Sequence, residues 1–113
     1  MIKQFITIGN TYITGFIIDT VNRKILQKES YSSGISKDIA KYNGISELKL
    51  SSIISRLKTL LDSSDCTFKN IIIQKDVVSN SGNINTLITL IRKKFNKNIT
   101  IGNVEPEDVI FYI

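Results

Sequence analysis

Three sets of residues in this chain have types and spacing suited to chemistry. Gly9, Asn10 and Thr11 make a short polar break between two apolar runs. A glycine beside a hydroxyl residue can turn successive backbone amides toward a phosphate, and a Gly-Asn pair can also simply reverse the chain. Asp19, Glu47 and Asp76 stand at the ends of expected elements. Carboxylates that converge can hold two metal ions and cleave a phosphate ester, but these three are scattered and read as solvated acids. Arg92, Lys93, Lys94 and Lys97 form a basic cluster that could meet a nucleic acid. Phe95, the aromatic within it, follows the spacing of a buried helix face, so the cluster lacks a base-stacking ring. The chain has no histidine and one cysteine, Cys66. Ser–His and Cys–His pairs are therefore excluded, as are a Cys/His zinc site and an internal disulfide. No metal and no cofactor is expected.

The elements that would carry these residues follow from apolar periodicity. Residues 2–8 and 12–19 alternate as two strands that are largely apolar on both faces. Gly15, inside the second, permits a bulge or a close backbone approach. Residues 20–24 read as a turn with Asn22 left-handed, and 25–32 as a third, more polar strand suited to an edge. A short helix fits 36–42, stopped by Asn43-Gly44. Leu50, Ile53, Ile54, Leu57, Leu60 and Leu61 then recur at helical spacing, with Ser46 as the N-cap and Glu47 in the first turn. The unbroken Ile71-Ile72-Ile73 predicts a central strand, and residues 75–83 a loop. Ile84, Leu87, Ile88, Ile91 and Phe95 mark a second amphipathic helix, with Asn83 as a possible cap. A last short strand, "NITIG", precedes a tail ending Val109-Ile110-Phe111-Tyr112-Ile113.

The order β-β-β-α-β-α-β predicts an α/β fold: a mixed five-stranded sheet whose first three strands form an antiparallel meander. Right-handed crossovers then add parallel strands. At 113 residues and 42% hydrophobic, the chain reads as one domain over 1–113 with a real core. No stretch of 18 apolar residues appears, so no membrane span is expected, and a cytoplasmic location is the default. The formal charge is +5, and residues 1–103 carry 15 basic against 7 acidic side chains. In a chain this rich in Ile, Asn and Lys, that excess reads mainly as a solvated surface.

The same order resembles the ribonuclease H-like half-unit of the actin/Hsp70-like ATPase superfamily. In that superfamily a D-x-G-x-[ST] motif crosses the first turn and cradles nucleotide phosphate. Here the place reads Thr7-Ile8-Gly9-Asn10-Thr11, so the resemblance makes Gly9, Asn10 and Thr11 the nucleotide-binding candidates. Ile8-Gly9, Ser33-Gly34-Ile35 with Lys37, the helix 48–61 and Ile71–Ile73 look most like FtsA-type bacterial division actins. Glu105-Pro106-Glu107-Asp108-Val109 is similar to the segment that closes Hsp70-like ATPase domains. Two departures stand out. The magnesium-associated aspartate falls on Thr7, and the adenosine-receiving double glycine is reduced to Gly82. The superfamily's ATP site also lies between two such halves.

With catalytic groups sparse, the expectation is a non-enzymatic, actin-like interaction module of division or cytoskeletal assembly, in a reduced or degenerate subdomain. A protein partner or homo-oligomer would dock on Val109, Ile110, Phe111, Tyr112 and Ile113, an apolar, strand-prone run. The alternative is a nucleic-acid-binding or degenerate nuclease domain of the same fold, using Arg92, Lys93, Lys94 and Lys97.

Overall fold

Apolar alternation at the start of the chain produces the three strands of the meander. In a computed structural model describing residues 2–80, 83–95 and 99–102, these are β1 (Ile2–Ile8), β2 (Tyr12–Asp19) and β3 (Lys24–Ser32). Two helices follow, α1 (Ile35–Tyr42) and α2 (Glu47–Asp62). Then come β4 (Phe68–Gln74), α3 (Lys75–Asn80), α4 (Ile84–Phe95) and β5 (Ile99–Gly102). The sheet order is β3-β2-β1-β4-β5. β1 pairs antiparallel with β2, and β2 with β3, whereas β1–β4 and β4–β5 are parallel. The expected mixed five-stranded α/β fold is therefore present. Among the described residues no helix is long and apolar enough to cross a membrane.

The two faces of the sheet bury different sets. Ile6, Ile8, Ile13, Ile71 and Ile73 point to the main core, with the apolar stripes of all four helices. Phe5, Phe16, Ile18 and Ile72 form a second buried cluster on the opposite face. This double burial is why β1 and β4 lack polar alternation. α2 buries Leu50, Ile53, Ile54, Leu57, Leu60 and Leu61, the stripe expected from the sequence. Each such side chain contributes about 1.5–3 kcal/mol. Ser46 caps this helix: its hydroxyl accepts from the Lys49 amide at 3.2 Å. α2 packs so closely on β2 that a Cβ at Gly15 would stand 2.9 Å from Leu60 Cδ2. Gly15 is thus a close approach; the bulge lies in the β2–β3 pairing at Ile17/Ile18.

Local expectations fail at four points. Residues 75–80 are helical, not loop; Val77 is fully buried, and a six-residue helix is too short to show periodicity. The left-handed residue of the β2–β3 turn is Arg23 (φ 52°), not Asn22. Asn22 instead donates its side-chain amide to Asp19 Oδ2 at 2.7 Å, and its backbone amide joins that of Val21 on Asp19 Oδ1. Those bonds, the Asn22 side chain first, hold the Asp19 carboxyl below its ordinary value. Asn83 does not cap α4 with its side chain. Its Oδ1 accepts from Ile45 N at 2.8 Å and its Nδ2 donates to Ile45 O at 2.6 Å, tying the start of α4 to the α1–α2 junction. Finally, neither Gly9 nor Asn10 has positive φ, so the first hairpin is not closed by a primed two-residue turn.

Candidate functional site: a loop at the carboxyl ends of the parallel strands

β1, β3 and β4 run the same way, and the segments leaving their carboxyl ends meet. They are the loop Gly9–Thr11, the segment Ser33–Ser36 that opens α1, and Lys75-Asp76 at the start of α3. The chain leaves β1 toward β2 but leaves β4 toward the helices, so a topological switch point falls between these two neighbours. Ligands of open α/β sheets bind at such points.

The loop is held from one side. Ser33 Oγ donates to Gly9 O at 2.8 Å. Ser36 N donates to Asn10 O at 2.9 Å, and Ser33 N to Thr11 O at 2.8 Å. Three consecutive carbonyls thus face the Ser33–Ser36 segment. In a planar trans peptide the next residue's N–H points opposite to the carbonyl. The Asn10 and Thr11 amides therefore point away from this segment, and among the described residues neither donates to a protein acceptor. Gly9 suits this loop because a Cβ there would come within 3.2 Å of Tyr12 O. Ser33 is 3% exposed, so its hydroxyl is committed to the contact.

Two more groups share this end. Asn10 Nδ2 donates to Asp76 Oδ2 at 3.0 Å, and Asp76 Oδ1 accepts from Val77 N at 2.9 Å. Lys49, in the first turn of α2, reaches back over Gly34: a Cβ on Gly34 would stand 2.5 Å from its Nζ. Gly34 itself has φ 66°, a left-handed conformation that lets the chain enter α1. Asp38, one turn into α1, accepts from both Ser46 N (2.9 Å) and Ser46 Oγ (2.7 Å). Burial pushes its carboxyl up, but the Ser46 bonds and the Lys49 and Lys41 charges outweigh that and hold it below the ordinary value.

The structure therefore brings Gly9, Asn10 and Thr11 together with Asp76, and sets Asp19 and the basic residues of α4 apart from them. Asp19 pairs with Ile2 at the opposite end of β1, about 20 Å away along the strand. Among the described residues no three potential metal-ligating side chains cluster. The β1 position that the resemblance gives to a carboxylate holds Thr7, 6% exposed. These residues do not fit a protein-held magnesium ion. α4 carries the chain back to the amino ends of the parallel strands, so Arg92, Lys93 and Lys94 in its last turn lie at the far end from the loop. Lys97 and Val109–Ile113 fall outside the described residues. Ser36 and Lys49 carried no signal in the sequence, because their roles rest on contacts that only the folded sheet creates.

No family model and no curated protein matches this sequence. Solved structures do. A Ppx/GppA phosphatase of Aquifex aeolicus (type II variant) superposes with a TM-score of 0.74 at 13% identity, over 94% of this chain and 36% of its own. An exopolyphosphatase from Cytophaga hutchinsonii does so with a TM-score of 0.75 at 22% identity, over 89% of this chain and 34% of its own. The chain thus spans about a third of the length of these structures. At these identities the likeness is one of fold, which agrees with the half-unit expected from the sequence, and it gives no support to an FtsA-type division protein. The expectation of a non-enzymatic interaction module is overturned, because the structures sharing this fold are phosphatases. Nor do they favour the nucleic-acid-binding or nuclease alternative.

Proposed function

We propose that this chain forms one lobe of a phosphate-cleaving enzyme of the Ppx/GppA kind, with Gly9–Thr11 receiving a phosphoryl group of a phosphoanhydride chain such as polyphosphate. The observation that carries this reading is the pinning of three successive loop carbonyls, which leaves the Asn10 and Thr11 amides directed outward at the sheet's switch point. Backbone amides in such a concavity bind tetrahedral oxyanions without needing a side-chain charge. They also stabilise charge as it develops on a transferring phosphoryl group.

Within this lobe a carboxylate is the group suited to orient the attacking water, since the chain has no histidine. Asp76 is the one the loop holds close, through Asn10. The Asn10 side-chain amide donates to one Asp76 oxygen and so fixes the carboxylate's direction. Lys49, beside Gly34, supplies positive charge on the same rim. The second wall of the cleft would come from a further lobe, as in the two-halved architectures this fold resembles.

Titration of the 15N-labelled chain with sodium tripolyphosphate, with and without magnesium, tests the reading. The amide resonances of Asn10 and Thr11 are expected to move most, with saturation. Movement confined to Arg92–Lys94, or none at all, would refute it.

A further inference from the structure

Resting on the phosphate-loop reading, we infer that Ser33 is a positioning residue: its buried hydroxyl and amide, with the Ser36 amide, set the direction in which the Gly9–Thr11 loop presents its donors. Nothing in the loop's own sequence fixes that direction. A three-residue connection without a positive-φ residue has several ways to close, and each orients the middle peptides differently. Here the choice is made from outside. Ser33, 24 residues along the chain, grips Gly9 O and Thr11 O, and Ser36 takes the carbonyl between them.

The grip is anchored at both ends. Ser33 continues the β2–β3 ladder, in which Tyr12 pairs with Ser32. Ser36 belongs to α1, whose first turn is held by the Asp38–Ser46 bonds and whose far end leads into the Asn83–Ile45 contacts. A rotation of the Asn10 peptide would unpair Gly9 O from the buried Ser33 hydroxyl, and a rotation of the Thr11 peptide would unpair Asn10 O from the Ser36 amide. The donors are therefore preorganised before any anion arrives.

Hydrogen exchange on the free chain is the first measurement. The Ser33 and Ser36 amides should be protected, and those of Asn10 and Thr11 should exchange freely; protection of the latter pair overturns the inference. The second is Ser33→Ala, beside Thr14→Val, which removes another largely buried hydroxyl, one paired with Ser30. Ser33→Ala should move the free-state Asn10 and Thr11 resonances and weaken tripolyphosphate binding about tenfold. Thr14→Val should do neither at comparable stability. If Ser33→Ala binds like wild type with those resonances unmoved, Ser33 has no positioning role while the phosphate reading stands. If wild type binds no tripolyphosphate but the exchange pattern and the Ser33→Ala shifts appear, the phosphate reading fails and the positioning role stands.

Discussion

Asn83→Ala tests how the far end of α1 is secured. Asn83 makes two hydrogen bonds to one residue, accepting from Ile45 N and donating to Ile45 O. Ile45 is 4% exposed and belongs to the main core, so its backbone groups have poor access to water. Removing the amide strands one donor and one acceptor, each worth about 1–3 kcal/mol when buried and unpaired. Asn83 is itself only half-buried, so water entering the vacated space recovers part of that loss. The regained side-chain freedom offsets roughly another 1 kcal/mol. The expected net cost is about 2–3 kcal/mol. With a urea slope of about 1.5 kcal/mol/M, the midpoint falls by roughly 1.5–2 M. Urea unfolding followed by circular dichroism at pH 7 measures it. Asn85→Ala, exposed on the same helix, is the control and should stay within about 0.5 kcal/mol of wild type. Asn83→Asp keeps the acceptor but aims an oxygen at a carbonyl, so it must cost at least as much as alanine. If Asn83→Ala and Asn85→Ala have indistinguishable midpoints, the clamp contributes nothing and the reasoning is wrong.

Two further outcomes follow from close packing and from charge. Gly15→Ala places a methyl 2.9 Å from Leu60 Cδ2, a side-chain end that can shift; the expected loss is about 1–2 kcal/mol by thermal or urea unfolding, and Leu60→Ala in the same chain should make the added methyl nearly neutral, a coupling that a double-mutant cycle reads. Asp38 has a folded pKa below its unfolded one, so the stability it adds is present above the unfolded value near 3.8 and is lost as the pH falls through the lower folded value. The loss should therefore begin below about pH 4, and Asp38→Asn should flatten the unfolding midpoint's pH dependence there; an unchanged acid limb would show that the Ser46 bonds do not depend on the charge.

The fold was legible wherever burial imposes a period. β1, β2, α2 and α4 each bury enough apolar residues to show a spacing of two or near 3.6, and their ranges agree closely with the sequence reading. The Ser46 cap and the Asn43 stop were legible because capping is chemistry within four residues. α3 was not, since two valines cannot display a period. Asn83 misled for a related reason. Its type favours a cap, but its amide faces Ile45, 38 residues away, where it meets two backbone groups at once. The function failed on a different ground. Sparse catalytic side chains suggested a module without chemistry, yet a site built of backbone amides, as proposed for Gly9–Thr11, would leave no trace in side-chain composition.

That last point decides how Gly9-Asn10-Thr11 should be read. Its residue types fit a plain turn and a phosphate cradle equally well. What separates the two is where the carbonyls go, because each satisfied carbonyl fixes the opposite direction for the next amide. In an isolated hairpin those carbonyls would face each other or water. Here the meander brings the end of β3 alongside the loop, and the entry to α1 takes up all three. The same topology sends the cationic end of α4 to the opposite end of the sheet, so its charges cannot substitute for the amides. Asp76 on the rim sharpens the requirement. On the proposed reading an anion meets the loop on its amide side, away from the Ser33–Ser36 segment. By the same proposed reading, recognition at this end depends on peptide orientation more than on net charge, and Ser33 sets that orientation without touching the ligand.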